Sequence, residues 1–134
     1  MTPGVQVRAA TLPEVFVKAA LAVVTGAFDP GAIEEREVRE VRAHGQTVEA
    51  LFATWINECL YVHEVEGFAW RRIDFAVFEA ESRAGAEPMR LHSFLYGEAL
   101  EPDPQQHESA IPPIPVGAVS LRAHGDGYEL TISI

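Results

Sequence analysis

The residues best suited to chemistry lie around one proline-rich stretch, residues 100–115. Glu98 precedes this stretch, and Asp103 and His107 lie within it. Carboxylates and an imidazole gathered in one loop could bind a metal cation or a protein partner. The alternative is a solvated surface loop with scattered polar groups. The residue types leave both interpretations open, and we treat Glu98, Asp103 and His107 as a candidate functional patch.

No arrangement typical of catalysis accompanies this patch. The sequence has no glycine-rich phosphate loop, no Cys or His pair at zinc spacing, and no set that unites a nucleophile, a base and an orienting group. The lone Cys59 falls on an apolar helix face, where a thiol is usually a small buried hydrophobe. The residues favour a binding or accessory protein over an enzyme. A hydrolase using the acidic loop is a weaker alternative, because no recognised spacing places a second carboxylate.

The charge of the chain argues against direct binding of nucleic acid. The formal net charge is −10, and the sequence has ten Lys and Arg residues in total. Binding a phosphate backbone needs a basic patch. Arg36, Arg39 and Arg42 alternate with glutamates, which indicates a neutralised, solvated strand surface. Such acidity suits a basic protein partner, a divalent cation or simple solubility.

The length of 134 residues predicts a single domain spanning residues 1–134. A chain of this size can bury a core without disulfides or a structural metal. Its start lacks a basic stretch followed by an apolar one, and no apolar run reaches the length of about 18 residues that a membrane-spanning helix needs. We therefore expect a cytoplasmic protein without a membrane partner.

The strongest element that could position these residues is an amphipathic helix over residues 47–63. Thr47 can cap its first turn, because the hydroxyl can accept an orphan backbone N–H. Asn57 and Glu58 lie opposite the apolar face, so they point to solvent, to a neighbouring loop or to a partner. Six apolar residues recur at spacings of three and four and share one face: Leu51, Phe52, Trp55, Ile56, Cys59 and Leu60.

The remaining pattern predicts one further helix and several strands. Thr11 and Glu14 form a capping box that starts the first helix, which we expect to end near Gly26. The predicted strands cover residues 5–9, 35–44, 70–79, 88–96, 116–123 and 128–134. We expect the second of these near a sheet edge, the third and fourth as antiparallel neighbours, and the last two joined by a hairpin turn. The order predicts an α+β fold with two helices packed on one face of a mostly antiparallel β-sheet.

Several stretches of the chain resemble the archease family. The most specific is WINECLY at residues 55–61, followed by Glu66 and Gly67. It resembles the family helix in which Trp, Leu, Asn, Glu, Leu, Leu and Tyr precede a Glu-Gly pair. Three further stretches support the resemblance. The first is LPEVF at residues 12–16 with Ala19 and Ala20, and the second is Tyr96-Gly97-Glu98, followed later in the chain by Asp103 and His107. The third is Gly127-Tyr128, which precedes a last strand ending in isoleucine. The likeness extends over nearly the whole chain.

The resemblance implies an archease-like sandwich and a small cytoplasmic accessory protein. Archeases assist RtcB-type RNA ligases, which join RNA ends in tRNA splicing and RNA repair. They promote guanylylation of the ligase histidine and multiple turnover, and they are not ligases themselves. The family carries an acidic metal site for calcium or another divalent cation. Asn57 and Glu58 match the helix motif, so they join the candidate residues for partner binding.

The chain departs from the family where the metal ligands are expected. The family has Asp-His-Thr-Ala-Asp ahead of its first strand, whereas residues 2–4 here are Thr, Pro and Gly. Ser133 replaces the penultimate aspartate, and Gly117 stands where a Lys-Ala-x-Thr element has its lysine. The C-terminal carboxylate of Ile134 remains, but a hard dication needs several oxygen ligands. The alternatives are a divergent member that lost the site, or a start of the protein further upstream.

Two functional hypotheses from different classes follow. The first is a non-catalytic activator of an RtcB-type RNA ligase that acts through protein–protein contact. The second is a structural or chaperone-like interaction module without ligase activation, which the missing aspartates and lysine favour. Metal binding and the identity of the bound client would distinguish the two.

Overall fold

A computed structural model describes residues 4–25, 27–80, 89–100 and 112–133 of the chain. Two helices and six strands account for most of this length. Short 3₁₀ turns precede the second and fifth strands. The elements are β1 (Val5–Ala9), α1 (Leu12–Val24), β2 (Glu37–Gly45), α2 (Val48–Glu66), β3 (Phe68–Glu79), β4 (Met89–Ala99), β5 (Val119–His124) and β6 (Gly127–Ile132).

The strands form two three-stranded sheets, with the orders β1-β6-β5 and β2-β4-β3. Every strand pairing is antiparallel. The predicted α+β fold, with two helices packed on antiparallel sheet, is confirmed, and the structure adds that the strands divide between two sheets. The first and last strands pair from Val5 opposite Ile132 to Ala9 opposite Tyr128, so the two ends of the described chain lie side by side.

Both helices begin at the caps that the sequence predicts. Thr11 accepts a hydrogen bond from the N–H of Glu14 at 3.3 Å, and Thr47 accepts one from the N–H of Ala50 at 3.0 Å. These bonds satisfy N–H groups that the first helical turn leaves without a partner. α2 continues to Glu66, past its predicted end at residue 63, and ends where Gly67 takes the left-handed conformation with φ of 66°.

One continuous core joins both helices and both sheets. Its centre is aromatic: the ring centroid of Phe16 lies 5.1 Å from that of Phe52 and 5.8 Å from that of Trp55. Trp55 donates its indole N–H to Ser93 Oγ at 2.9 Å, and Ser93 Oγ donates to the carbonyl of Val41 at 2.8 Å. Because buried polar groups are costly without partners, this chain of bonds fixes α2 against β4 and β2.

The second sheet agrees with the predicted pairing. β2 is an edge strand, and β3 and β4 are antiparallel neighbours. Its arginines pair with glutamates, as the alternating charges indicate: Arg42 Nε lies 3.0 Å from Glu40, and Arg39 Nε lies 2.8 Å from Glu66.

Some predicted boundaries differ from the structure. The strand expected at residues 116–123 begins at Val119, because Val116–Ala118 forms a 3₁₀ turn. Residues 81–88, which connect the third and fourth predicted strands, and most of the proline-rich stretch lie outside the described residues. Within the described ranges, no helix has the length and apolar character needed to cross a bilayer.

Candidate functional site

Asn57 is bound within the protein. Its side-chain N–H donates to the carbonyl of Ile114 at 2.9 Å, and its Oδ1 accepts from the N–H of Ile114 at 2.8 Å. An amide can satisfy both groups at once because it carries a donor and an acceptor. Ile114 itself is buried in the core. Asn57 therefore holds the end of the proline-rich stretch against α2. Of the three alternatives that the sequence left open for this side chain, the structure shows the contact with a neighbouring loop.

Glu58 lies on the exposed side of the same helix. Tyr61 and Val65 follow at the spacings that place side chains on one helix face, with exposed fractions of 60% and 62%. We call Glu58, Tyr61 and Val65 the α2 surface. Exposed aromatic and aliphatic side chains beside a charge suit a protein contact. The helix motif indicated Glu58, but Val65 lies beyond the predicted end of the helix, so the sequence pattern missed it.

Glu98 is engaged with the segment that leads into β2. One carboxylate oxygen accepts the N–H of Glu34 at 2.8 Å, and the other lies 3.8 Å from Nε of Arg36. The pKa of Arg36 is raised, first by its hydrogen bond to Glu34 and then by the charges of Glu34 and Glu98. Glu98 thus positions residues 34–36. Asp103 and His107, the other members of the candidate patch, lie outside the described residues, as does Ile134.

Gly97, next to Glu98, allows two strands to approach closely. A Cβ atom on Gly97 would lie 1.8 Å from the carbonyl oxygen of Ala69 and 2.6 Å from Cα of Trp70. The register between β3 and β4 shifts between Trp70 and Arg72, so the glycine lies at an irregularity in the sheet. Gly97 therefore has a structural role in the pairing of β3 with β4.

The described residues at the positions where the resemblance implies metal ligands lie close together in the structure. Gly4 lies beside the end of β6, since a Cβ there would lie 2.9 Å from the carbonyl oxygen of Ile132. The N–H of Ser133 donates to the carbonyl of Ala118 at 2.9 Å. We call Gly4, residues 117–120 and Ser133 the strand-end site. The fold thus brings the start of β1, the end of β6 and the turn before β5 to one corner.

The side chains of the strand-end site do not fit a divalent cation. Its described residues offer hydroxyl groups from Ser120 and Ser133 but no carboxylate. A hard dication needs several oxygen ligands, with negative charge to offset its dehydration. Across the described ranges, no group of three or more His, Cys, Asp or Glu side chains could hold a metal ion.

Two surface hollows lie away from these residues. One, of about 460 Å³, lies over β2, β3 and β4 and includes His92, whose Nε2 is 3.0 Å from a carboxylate oxygen of Glu40. The other, of about 520 Å³, lies between α1 and β3 and is lined mainly by apolar side chains such as Phe75 and Phe78. Neither hollow is lined by a residue of the α2 surface, by Glu98 or by the strand-end site.

Comparison with known proteins identifies relatives over the whole described fold. A profile of the Archease protein family matches residues 3–133. The chain is 32% identical over 105 residues to the protein archease of Pyrococcus abyssi, covering 78% of this chain and 69% of that protein. It is 27% identical over 124 residues to the protein archease of Methanosarcina acetivorans, covering 92% and 82%. The solution structure of Methanobacterium thermoautotrophicum protein 1598 superposes with a TM-score of 0.64 at 22% identity, covering 96% of this chain and 88% of that one.

Proposed function

The chain belongs to the archease family, and from this premise we propose that it is a non-catalytic accessory protein that activates an RtcB-type RNA ligase. In this proposal it promotes guanylylation of the ligase and its repeated turnover in tRNA splicing or RNA repair, in the cytoplasm. The observation that carries the proposal is the family match over residues 3–133. The earlier resemblance in the helix motif and the loop motif supports the same function.

We propose that the chain acts by protein–protein contact, with the α2 surface as one contact. Tyr61 and Val65 expose apolar area on a rigid helix whose opposite face is buried in the core. A rigid aromatic anchor loses little side-chain entropy on binding, which is why tyrosine is frequent among energetically dominant interface residues. Glu58 adds a charge beside these two side chains.

We propose the patch of Glu98, Asp103 and His107 as a second contact. Glu98 is about one-quarter exposed, at 23% of its side-chain area, and is held by the N–H of Glu34. Glu98 precedes the proline-rich stretch, residues 100–115, which contains Asp103 and His107. The anchoring of Ile114 by Asn57 holds the far end of the same stretch.

The proposed action does not pass through a metal ion at the strand-end site. The described residues there supply no carboxylate, so this chain differs from the calcium or other divalent site that the resemblance implies. This difference also favours a second candidate function, a structural or chaperone-like interaction module that does not activate a ligase.

The variant test uses guanylylation of a purified RtcB-type ligase, with GTP and increasing amounts of the full chain. We expect Tyr61→Ala and Val65→Ala each to raise the concentration of the chain needed for half-maximal stimulation of guanylylation by about fivefold to tenfold. This is the effect of losing an interface anchor. Val38→Ala is the matched control, because Val38 is also exposed, at 47%, but lies on β2.

The candidate patch is tested in the same assay by replacing Glu98, Asp103 and His107 together with alanine. We expect the triple variant to lose most of the stimulation while retaining its far-ultraviolet circular dichroism. Unchanged activation would remove the patch from the proposal. Binding of the chain to the ligase without any stimulation would favour the structural or chaperone-like module.

A further inference from the structure

The outer face of the first sheet carries a row of three charged residues across its strands. Glu129 on the central strand β6 pairs with Arg8 on β1 and with Arg122 on β5. Leu130, the next residue of β6, is fully buried in the core. Because successive side chains of a strand point to opposite faces, the charged row lies on the side of the sheet away from the core.

Both guanidinium groups are held by the same carboxylate. Arg8 Nε lies 2.7 Å from one oxygen of Glu129, and Arg122 Nε lies 2.8 Å and Nη2 2.5 Å from the other. The side chain of Glu129 is 1% exposed, whereas those of Arg8 and Arg122 are 57% and 67% exposed. The two cations therefore cover the anion and present their remaining N–H groups to solvent.

This row carries an excess of positive charge on an acidic protein. Two arginines share one glutamate here, while the chain as a whole has a formal net charge of −10. Three arginines in or beside the other sheet show the opposite ratio, whereas Arg42 and Arg90 pair with Glu40 and Glu79. There, single arginines pair with two carboxylates each: Arg36 with Glu34 and Glu98, Arg39 with Glu37 and Glu66, and Arg72 with Glu35 and Asp74.

We propose that Arg8 and Arg122, fixed by Glu129, form a docking site for an acidic segment of a protein partner. The planar guanidinium matches a carboxylate with paired hydrogen bonds, and prior fixation lowers the side-chain entropy lost on binding. Gln6 and Ser120 lie two residues away along the edge strands, on the same face, and add an amide and a hydroxyl. The site does not depend on the ligase being the partner.

Charge favours a short acidic protein segment over RNA as the occupant. A few carboxylates can contact the two arginines while the rest of the partner stays away from this chain. A nucleic-acid strand carries one negative charge per nucleotide. Its phosphates beyond the two arginines would come within about 8–10 Å, the Debye length in physiological salt, of the acidic surface of the protein, which would repel them.

Binding of fluorescein-labelled peptides to the full chain tests this site. The probes are a peptide of alternating Glu and Ser, its Lys-Ser counterpart and a single-stranded RNA of equal charge. We expect the Glu-Ser peptide to bind, with affinity falling as NaCl rises from about 50 to about 500 mM. Arg8→Gln and Arg122→Gln should each weaken binding by about tenfold or more. Arg42→Gln, a matched loss of charge on the other sheet, should leave binding unchanged.

Ser120→Glu separates binding from folding. The substitution adds a negative charge to the exposed edge strand β5 and leaves the ion pairs of Arg8 and Arg122 with Glu129 in place. It should therefore also weaken binding of the Glu-Ser peptide by about tenfold. No peptide binding, equal loss in Arg42→Gln, or an unaffected Ser120→Glu variant would overturn the proposal. Binding of the RNA without the peptide would overturn it in favour of a nucleic-acid surface.

Discussion

At the scale of single residues, the motif that identifies the family serves mainly to hold the structure together. Asn57 binds both backbone groups of Ile114, and Gly67 ends α2 in the left-handed conformation. The sequence placed Asn57 correctly on the side of the helix away from the apolar face. It could not identify the partner, because Ile114 lies 57 residues further along the chain and local periodicity carries no information about such a contact.

Glu129 shows the same limit of sequence reasoning. The alternation of β6 predicts that this glutamate points away from the core, which it does, and an outward glutamate is ordinarily exposed. The structure buries it under Arg122 from the neighbouring strand β5 and under Arg8 from β1, which lies 121 residues away in sequence. The predicted hairpin turn accounts for β5 meeting β6, but the residue pattern alone does not specify that β1 meets β6.

The pH dependence of stability tests the buried carboxylate. Hydrogen bonds from Arg8 first, and then from Arg122 and Gln6, lower the pKa of Glu129 to about 2. Because the folded pKa lies below the unfolded one, the stabilisation is present above about pH 4.5 and is lost as the pH falls toward about 2. We expect the free energy of unfolding, measured with urea, to rise with pH in this window. In Glu129→Gln it should rise less steeply, by the equivalent of up to about one bound proton. Equal slopes in the two proteins would contradict this assignment.

At the scale of elements, the sequence predicted what periodicity and caps determine. Thr11 and Thr47 start the two helices, and the alternating stretches became β3, β4 and β6. It did not predict the division of the strands into two sheets. That division depends on β1 pairing with β6 across nearly the whole chain, a long-range contact that no local pattern contains.

Gly97 provides a test of how the second sheet is built. Gly97→Ala places a methyl group 1.8 Å from the carbonyl oxygen of Ala69, so the backbone of β3 or β4 must move. We expect a loss of about 1–3 kcal/mol or more in the free energy of unfolding, measured with urea, because a tightly packed site resists added volume. Gly117→Ala is the control, since nothing lies within 4 Å of its added Cβ. A Gly97→Ala variant as stable as this control would show that the close approach is not needed.

At the scale of the whole molecule, the fold forms the corner at which the resemblance implies metal ligands, but the described side chains there do not supply them. Gly4, Ala118 and Ser133 converge there, yet the described residues offer no carboxylate. Meanwhile the acidic chain concentrates an excess of positive charge on the first sheet and exposes apolar side chains on α2. These features suit an accessory protein that works through its surfaces.

The absence of carboxylate side chains among the described residues of this corner predicts weak metal binding. Calorimetric titration of the full chain with calcium and then magnesium should give no saturable heat, because too few oxygen ligands are available to offset dehydration of the ion. An archease relative that carries the aspartates serves as the positive control. Saturable heat from this chain would mean that other carboxylates form a site, and would contradict metal-independent action.

The most direct measurement of the central proposal is the number of RNA-joining turnovers by an RtcB-type ligase with and without this chain. The ligase is kept limiting, and RNA ends and GTP are in excess. We predict that the ligase alone stops after few turnovers and that adding the unmodified chain sustains guanylylation and further joining. An equal number of turnovers with the chain, with a denatured sample of it and without it would contradict the proposed function.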